Sequence, residues 1–256
     1  MPTRSDTVAA AVARSFAYRF LAEAFAAPEP EGWNWLGSPT ATAQLSQALT
    51  DAWPATTVLP ALGGTAVRAL AGTDPVAAAR DHLAAFGYTV RSACPPHEIE
   101  YGDTKADALF RPHRLADLVA LYRAFGLEID EAVHERADHL AIECEFASIL
   151  AARAAYALEQ QLPDAIAVCA QARVLFLREH FGRWVPAFLS RLRSQPCATW
   201  LQHWGNLLDA VLAADCAQAG VTPGSSELRI HEWDETEAAL CNGECGLASG
   251  VGGIPD

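Results

Sequence analysis

Lysine is nearly missing from this chain: Lys105 is the only one in 256 residues, so positive charge rests almost wholly on arginine. The formal net charge is -13. A chain this poor in clustered cations does not suit a phosphate backbone, which is bound by releasing counterions to Lys and Arg, so no nucleic acid is expected as a partner. An acidic surface instead speeds encounter with basic peptides. Long apolar runs are lacking too. Arg14, Arg19 and Glu23 interrupt the Ala- and aromatic-rich stretch from Thr7 to Phe25. With no uncharged apolar run of 18 residues, neither a secretory core nor a membrane span is expected, and the protein is read as soluble and cytoplasmic.

Strand alternation of useful length is absent, and so are internal repeats. No G-x-G-x-x-G follows a strand, and there is no G-x-x-x-x-G-K, H-E-x-x-H or G-x-S-x-G. These absences argue against the common enzyme classes, so neither catalytic residues nor a cofactor are assigned. Cysteine is present but unpatterned: seven residues, an odd number, are scattered from Cys94 to Cys245. That spread suits reduced thiols better than a disulfide framework.

What the sequence does hold is apolar residues at helical spacing. Hydrophobic residues make up 51% of the chain and charged residues 19%, enough to bury a substantial core. Ser5 or Asp6 is expected to cap a first helix that Pro28 and Pro30 end. Further helices are expected from about Thr40 to Trp53, from Pro75 to Phe86 with Gly87 as the stop, and from Pro112 to Phe125 closed by Gly126. Others should run from Glu131 to Gln161, Pro163 to Phe181, Trp184 to Arg193 and Pro196 to Gly220. The fold class is all-α, a single helical bundle over residues 1–220. Residues 221–256 read as a flexible, Cys-containing tail because Gly and Ser punctuate them.

Two stretches break the helical pattern. Between Tyr88 and Lys105 the period is lost around Cys94-Pro95-Pro96-His97-Glu98-Ile99-Glu100-Tyr101-Gly102, where each proline forces extended backbone on the residue before it. Glu98, Glu100, Asp103 and Asp107 crowd this loop, either as a solvated acidic surface or as a receiver of arginine. The second stretch is Glu135-Arg136-Ala137-Asp138-His139. Placed on a helix whose apolar stripe runs through Ile142, Phe146 and Ile149, Asp138 and His139 fall on opposite borders of that stripe. There they could form a polar recognition spot, with the Asp accepting from a guanidinium and the His titrating near neutral pH. They could equally complement a helix N-terminus, with the His satisfied locally. In the tail, His231, Cys241 and Cys245 supply only three zinc donors at loose spacing, so no metal site is assigned. The seven tryptophans default to the core.

Cys94 to Tyr101 resembles the Pro-Pro-Tyr-Glu-Ser-x-Tyr loop of the TorD/DmsD/NarJ family of redox-enzyme maturation chaperones. Pro95, Pro96, Glu98 and Tyr101 stand at matching positions, and Leu83 and Phe86 sit where the family's Leu-Phe segment precedes the loop. Glu135-x-x-Asp138-His139-Leu140 is similar to its Glu-x-Asp-His motif, with one extra residue between Glu and Asp. The likeness spans roughly Arg80 to Val221. His97 departs from the family's Tyr, and Ile99 from its Ser, which removes any hydrogen bond those hydroxyls would make.

The resemblance implies a cytosolic all-helical chaperone. Its partners would be the apo catalytic subunit of a molybdopterin oxidoreductase, that subunit's twin-arginine signal peptide, and the cofactor-insertion machinery. It implies client-binding roles for Phe86, Pro96, Glu98, Tyr101, Tyr122, Glu135, Asp138 and His139, with Phe86 and Tyr122 as groove walls. A second reading remains beside it, a small helical metal-dependent enzyme or metal carrier using His97, Glu98, His139 and the tail cysteines.

Overall fold

Proline in the first turn, where a missing N–H costs nothing, marks the start of half the helices. The computed structural model describes residues 7–87, 92–102, 105–130 and 135–230, with residues 105–110 as backbone only. Among these, ten α-helices form: α1 (Val8–Phe25), α2 (Pro30–Leu36), α3 (Pro39–Ala52), α4 (Leu59–Arg68), α5 (Pro75–Phe86), α6 (Lys105–Ala124), α7 (Leu140–Glu159), α8 (Pro163–Glu179), α9 (Phe181–Ser194) and α10 (Thr199–Ala219). Proline opens α2, α3, α4, α5 and α8. The all-α expectation holds.

Side-chain caps fix several of these starts. Thr7 accepts from the Ala10 N–H at 3.1 Å, so the first cap lies just past the expected Ser5 or Asp6, which are outside the described residues. Ser38 and Asp74 cap α3 and α5 in the same way. Gly126 and Gly220, at φ 64° and 68°, take the left-handed turn that ends α6 and α10.

Four helices differ from the sequence reading. Helix α2 and helix α4 were not expected, because Pro30 and Pro60 read as stops when they in fact sit in first turns. Helix α6 begins at Lys105, with Pro112 inside it. The helix expected from Glu131 begins only at Leu140, since His139 is its extended N-cap residue. Residues 131–134 lie outside the description.

Helix α1 occupies the centre, packed on α7 and on α3. Alanines buried on both partners, Ala10 and Ala17 on α1 and Ala147, Ala151 and Ala155 on α7, let those backbones approach closely. At the crossing, Ser148 donates to the Ser15 carbonyl at 2.8 Å. Aromatic residues fill the wider spaces: Phe188 of α9 meets Phe25, Phe86 and Trp184 at ring separations of 6.1, 5.8 and 5.7 Å. Each such ring taken from water contributes about 1.5–3 kcal/mol.

The helix bundle is closed by a short return of the chain. Beyond Gly220 the residues up to 230 lie back on α9, where the Gly224 N–H bonds the Gly182 carbonyl at 2.9 Å. Both glycines are required by closeness. A Cβ on Gly224 would stand 2.1 Å from the Arg183 carbonyl oxygen, and one on Gly182 would stand 2.2 Å from that of Leu177. Strand β2 (Arg229–Ile230) then pairs antiparallel with β1 (Tyr101–Gly102). The remainder of the tail, with His231, Cys241 and Cys245, lies outside the described residues.

One buried carboxylate organises another part of the core. Asp215 of α10, 1% exposed, accepts from the Tyr18 hydroxyl at 2.8 Å and from the Trp53 indole at 3.3 Å. Arg173 bonds it directly, and Arg14 lies 3.4 Å away. Burial pushes the carboxyl pKa up, but the Arg173 and Arg14 charges and the hydrogen bonds outweigh it and hold it below the ordinary value. Stability from such a depressed acid is present above its unfolded value, near ~3.9, and is lost as pH falls through the folded value. Asp215→Asn is therefore expected to lower stability by about 3–5 kcal/mol at pH 7 in urea titrations, because it removes the buried negative charge that Arg173 and Arg14 face. That difference should narrow below about pH 4.

Candidate functional site

Two short segments lie edge to edge on the helix bundle, and each is short of backbone partners of its own. Residues 95–100 form an extended stretch followed by a 3-10 turn over Glu98–Glu100. Residues 136–139 lead into α7. They satisfy one another: the Glu98 N–H bonds the Asp138 carbonyl at 2.9 Å, and the Leu140 N–H bonds the Pro96 carbonyl at 2.8 Å. His97 and His139 form an antiparallel bridge.

Side chains lock this seam from both sides. The Tyr101 hydroxyl donates back to the Pro95 carbonyl at 2.9 Å, closing the loop on itself, while its ring packs on Trp184. From α6, the Tyr122 hydroxyl donates to the Ala137 carbonyl at 3.0 Å. Asp138 accepts from the Ile99 N–H at 3.1 Å and takes a bidentate grip from Arg136 at 2.9 and 2.7 Å.

The carboxylates of the loop are wholly buried and wholly paired. Glu98 meets His180 Nδ1 at 3.1 Å and Arg183 at 3.4 Å. Glu100 joins Arg111 to Arg136, the latter at 3.0 Å. Behind them lies Glu143, which accepts from the Trp184 indole with both oxygens, at 3.1 and 3.2 Å. Burial, and next the Glu98 charge, push the Glu143 pKa well above the usual carboxylate range.

This geometry brings together residues that the sequence separates by forty positions, and it revises their surroundings. Asp138 and His139 are not on the borders of a helical stripe; they precede α7, and both are buried. His139 Nδ1 accepts from the Ala141 N–H at 3.1 Å as the helix cap. Nor does His139 titrate near neutrality, because burial and then the adjacent His97 push its pKa down to about 3. The arginines received by Glu98, Glu100 and Asp138 are the chain's own. Phe86 and Pro96 are buried, and Phe86 packs on Phe188 instead of walling a groove. Glu135 alone of the expected client-binding residues is exposed. Asp103 and the side chain of Asp107 lie outside the described residues.

Arg111, Arg136, His180 and Arg183 were missed by sequence reasoning. A signal existed for Arg136, two positions before Asp138, since a carboxylate buried in a helical core must find a cation nearby. The others come from α6 and from the α8–α9 junction, whose proximity no local pattern encodes.

Tyr122 also belongs to an open feature. A cleft of about 190 Å³ lies between the end of α6 and the start of α7, floored by Tyr122 and Phe146 and walled by Leu127, Ile129, Ile142 and Ile149. Glu128, Asp130 and Glu145 are exposed at its rim.

Asp138→Ala is expected to cost about 2–3 kcal/mol in urea titrations, since it strips partners from a buried N–H and from Arg136. Faster hydrogen exchange at the Ile99 amide should accompany that loss. Glu135→Ala, at an exposed position, should stay within about 0.5 kcal/mol of the wild type.

Comparison with known proteins places this seam within a family. A search of curated proteins finds no match. The family model described as nitrate reductase delta subunit matches residues 39–190, more than half of the chain, and that span contains the loop, the Asp138-His139 pair and the cleft. Family members are redox-enzyme maturation chaperones of the TorD-like type, which places the chain broadly in molybdoenzyme maturation with a molybdoenzyme subunit as partner. Among the described residues no helix is long and apolar enough to cross a membrane. The chain thus belongs to the nitrate reductase delta subunit family of molybdoenzyme maturation chaperones.

Proposed function

We propose that this protein is a cytoplasmic chaperone that binds the apo catalytic subunit of a molybdopterin-dependent oxidoreductase, its twin-arginine leader, or both. It then assists molybdenum cofactor insertion before export or assembly. The observation that carries this reading is the family match across residues 39–190. The cleft between α6 and α7 supports the leader-binding part. Its walls are apolar and its rim carries Glu128, Asp130 and Glu145, so it offers one surface for an apolar stretch and another for adjacent guanidinium groups.

Recognition then divides between two kinds of residue. Tyr122 on the cleft floor and the exposed Glu135 beside the seam would touch the client. Phe86, Pro96, Glu98, Tyr101, Asp138 and His139 would act through position, holding the loop and the start of α7 where the cleft needs them. A client reaching those six directly would have to open the seam.

The full-length chain should bind, in calorimetry, the twin-arginine leader peptide of its cognate molybdopterin subunit. Glu128→Lys combined with Glu145→Lys should weaken binding about tenfold or more. A peptide with both arginines replaced by glutamine should lose affinity to a similar extent. Equal binding of both peptides would remove the leader-binding claim, and failure to capture the apo subunit itself would remove the chaperone reading.

A further inference from the structure

We propose that His97, Glu135 and His139 form a zinc site, with water as the fourth ligand. One donor atom from each lies within 4.8 Å of the other two. The Glu135 carboxylate oxygen is 4.0 Å from His97 Nε2 and 3.9 Å from His139 Nε2. Among the described residues no other three His, Cys, Asp or Glu side chains converge in this way.

The donors come from backbone that is already fixed. His97 and His139 face each other across the antiparallel bridge, flanked by the Glu98–Asp138 and Leu140–Pro96 hydrogen bonds. The two rings meet edge to face at 5.1 Å. Glu135 is half outside, with its side chain 41% exposed, so it can close on a bound ion without disturbing the core. In a tetrahedral site with bonds near 2.0–2.1 Å the donors stand roughly 3.3 Å apart, so the carboxylate has to close by about 0.6–0.7 Å on each ring. Two imidazoles and one carboxylate with an open position are a set that zinc accepts.

The surroundings suit a divalent ion. Both rings lie largely out of water, with the His97 side chain 12% and the His139 side chain 2% exposed. His97 Nδ1 is buried without a hydrogen-bond partner. Arg136, the nearby cation, has its guanidinium turned to Glu100 and Asp138. Thiols do not compete from the core beside it: burial pushes Cys94 up to about 12 and Cys144 higher than its ordinary value.

One adjustment follows from proton placement. His139 Nδ1 now accepts from the Ala141 N–H, so the proton of the neutral ring sits on Nε2, the atom facing Glu135. Ligation through Nε2 moves that proton to Nδ1 and releases the Ala141 amide. Zinc therefore exchanges the first cap of α7 for a metal bond, and the Ala141 amide reports on it independently of any client.

The test uses the full-length chain stripped with chelator, titrated with zinc alone against a chromophoric chelator and with cobalt as a spectroscopic substitute. One zinc per chain is expected, with the intense visible bands of four-coordinate cobalt and no displacement by magnesium. His97→Ala and Glu135→Gln should each weaken zinc binding about 100-fold or more. Zinc should also shift the Ala141 amide resonance in the wild type, while Cys241→Ser/Cys245→Ser should bind as the wild type does. No zinc binding, binding that survives His97→Ala with Glu135→Gln, or binding lost in the cysteine variant would each overturn the site.

Discussion

A carboxylate removed from water must be met by cations and N–H groups, and that demand arranges the middle of this molecule. Glu98, Glu100 and Asp138 have no solvent exposure at all. Their compensation draws Arg111 from α6, His180 and Arg183 from the α8–α9 junction, and Arg136 from the segment before α7. Three other parts of the chain are thereby tied to one loop. Removing one member of a buried pair leaves the other charged and dry, so the arrangement is held by the penalty of undoing it more than by the attraction itself.

The same demand explains why the loop can be irregular yet ordered. Buried backbone groups in a non-helical stretch need partners, and here residues 95–100 and 136–140 supply them to each other. Tyr101 and Tyr122 add hydroxyl bonds to the Pro95 and Ala137 carbonyls, so both aromatic residues act as pins. The cleft beside them inherits its shape from this seam, since Tyr122 both pins Ala137 and floors the cleft.

Much of the helical fold was legible because its signals are local. Asp74 before Pro75, and glycines at 87, 126 and 220, state helix ends in the chemistry of one or two residues. Helices α2 and α4 were hidden by one ambiguity: proline stops a helix in its interior but starts one in its first turn, and sequence alone does not say which side of Pro30 or Pro60 the helix takes. The seam was legible in part. Pro95-Pro96 and the Asp138-His139 pair stood out, but their burial did not, because exposure of a carboxylate depends on arginines supplied from elsewhere in the fold. The stripe drawn through Ile142 and Phe146 was sound for α7, and extending it back to Asp138 was not, since His139 caps the helix instead of joining it.

The pairing of Tyr101–Gly102 with Arg229–Ile230 has a kinetic meaning. It closes a contour of about 130 residues with only two residues of ladder, and the chain entropy lost in such a closure grows with the logarithm of that length. So short a ladder cannot offset that loss until α6 to α10 have folded and brought Gly224 against Gly182. The pairing therefore follows assembly of the helices and cannot nucleate it. Its completion stands as a checkpoint on the finished bundle, reached only when the loop carrying Glu98 and Glu100 already has a neighbour to receive it.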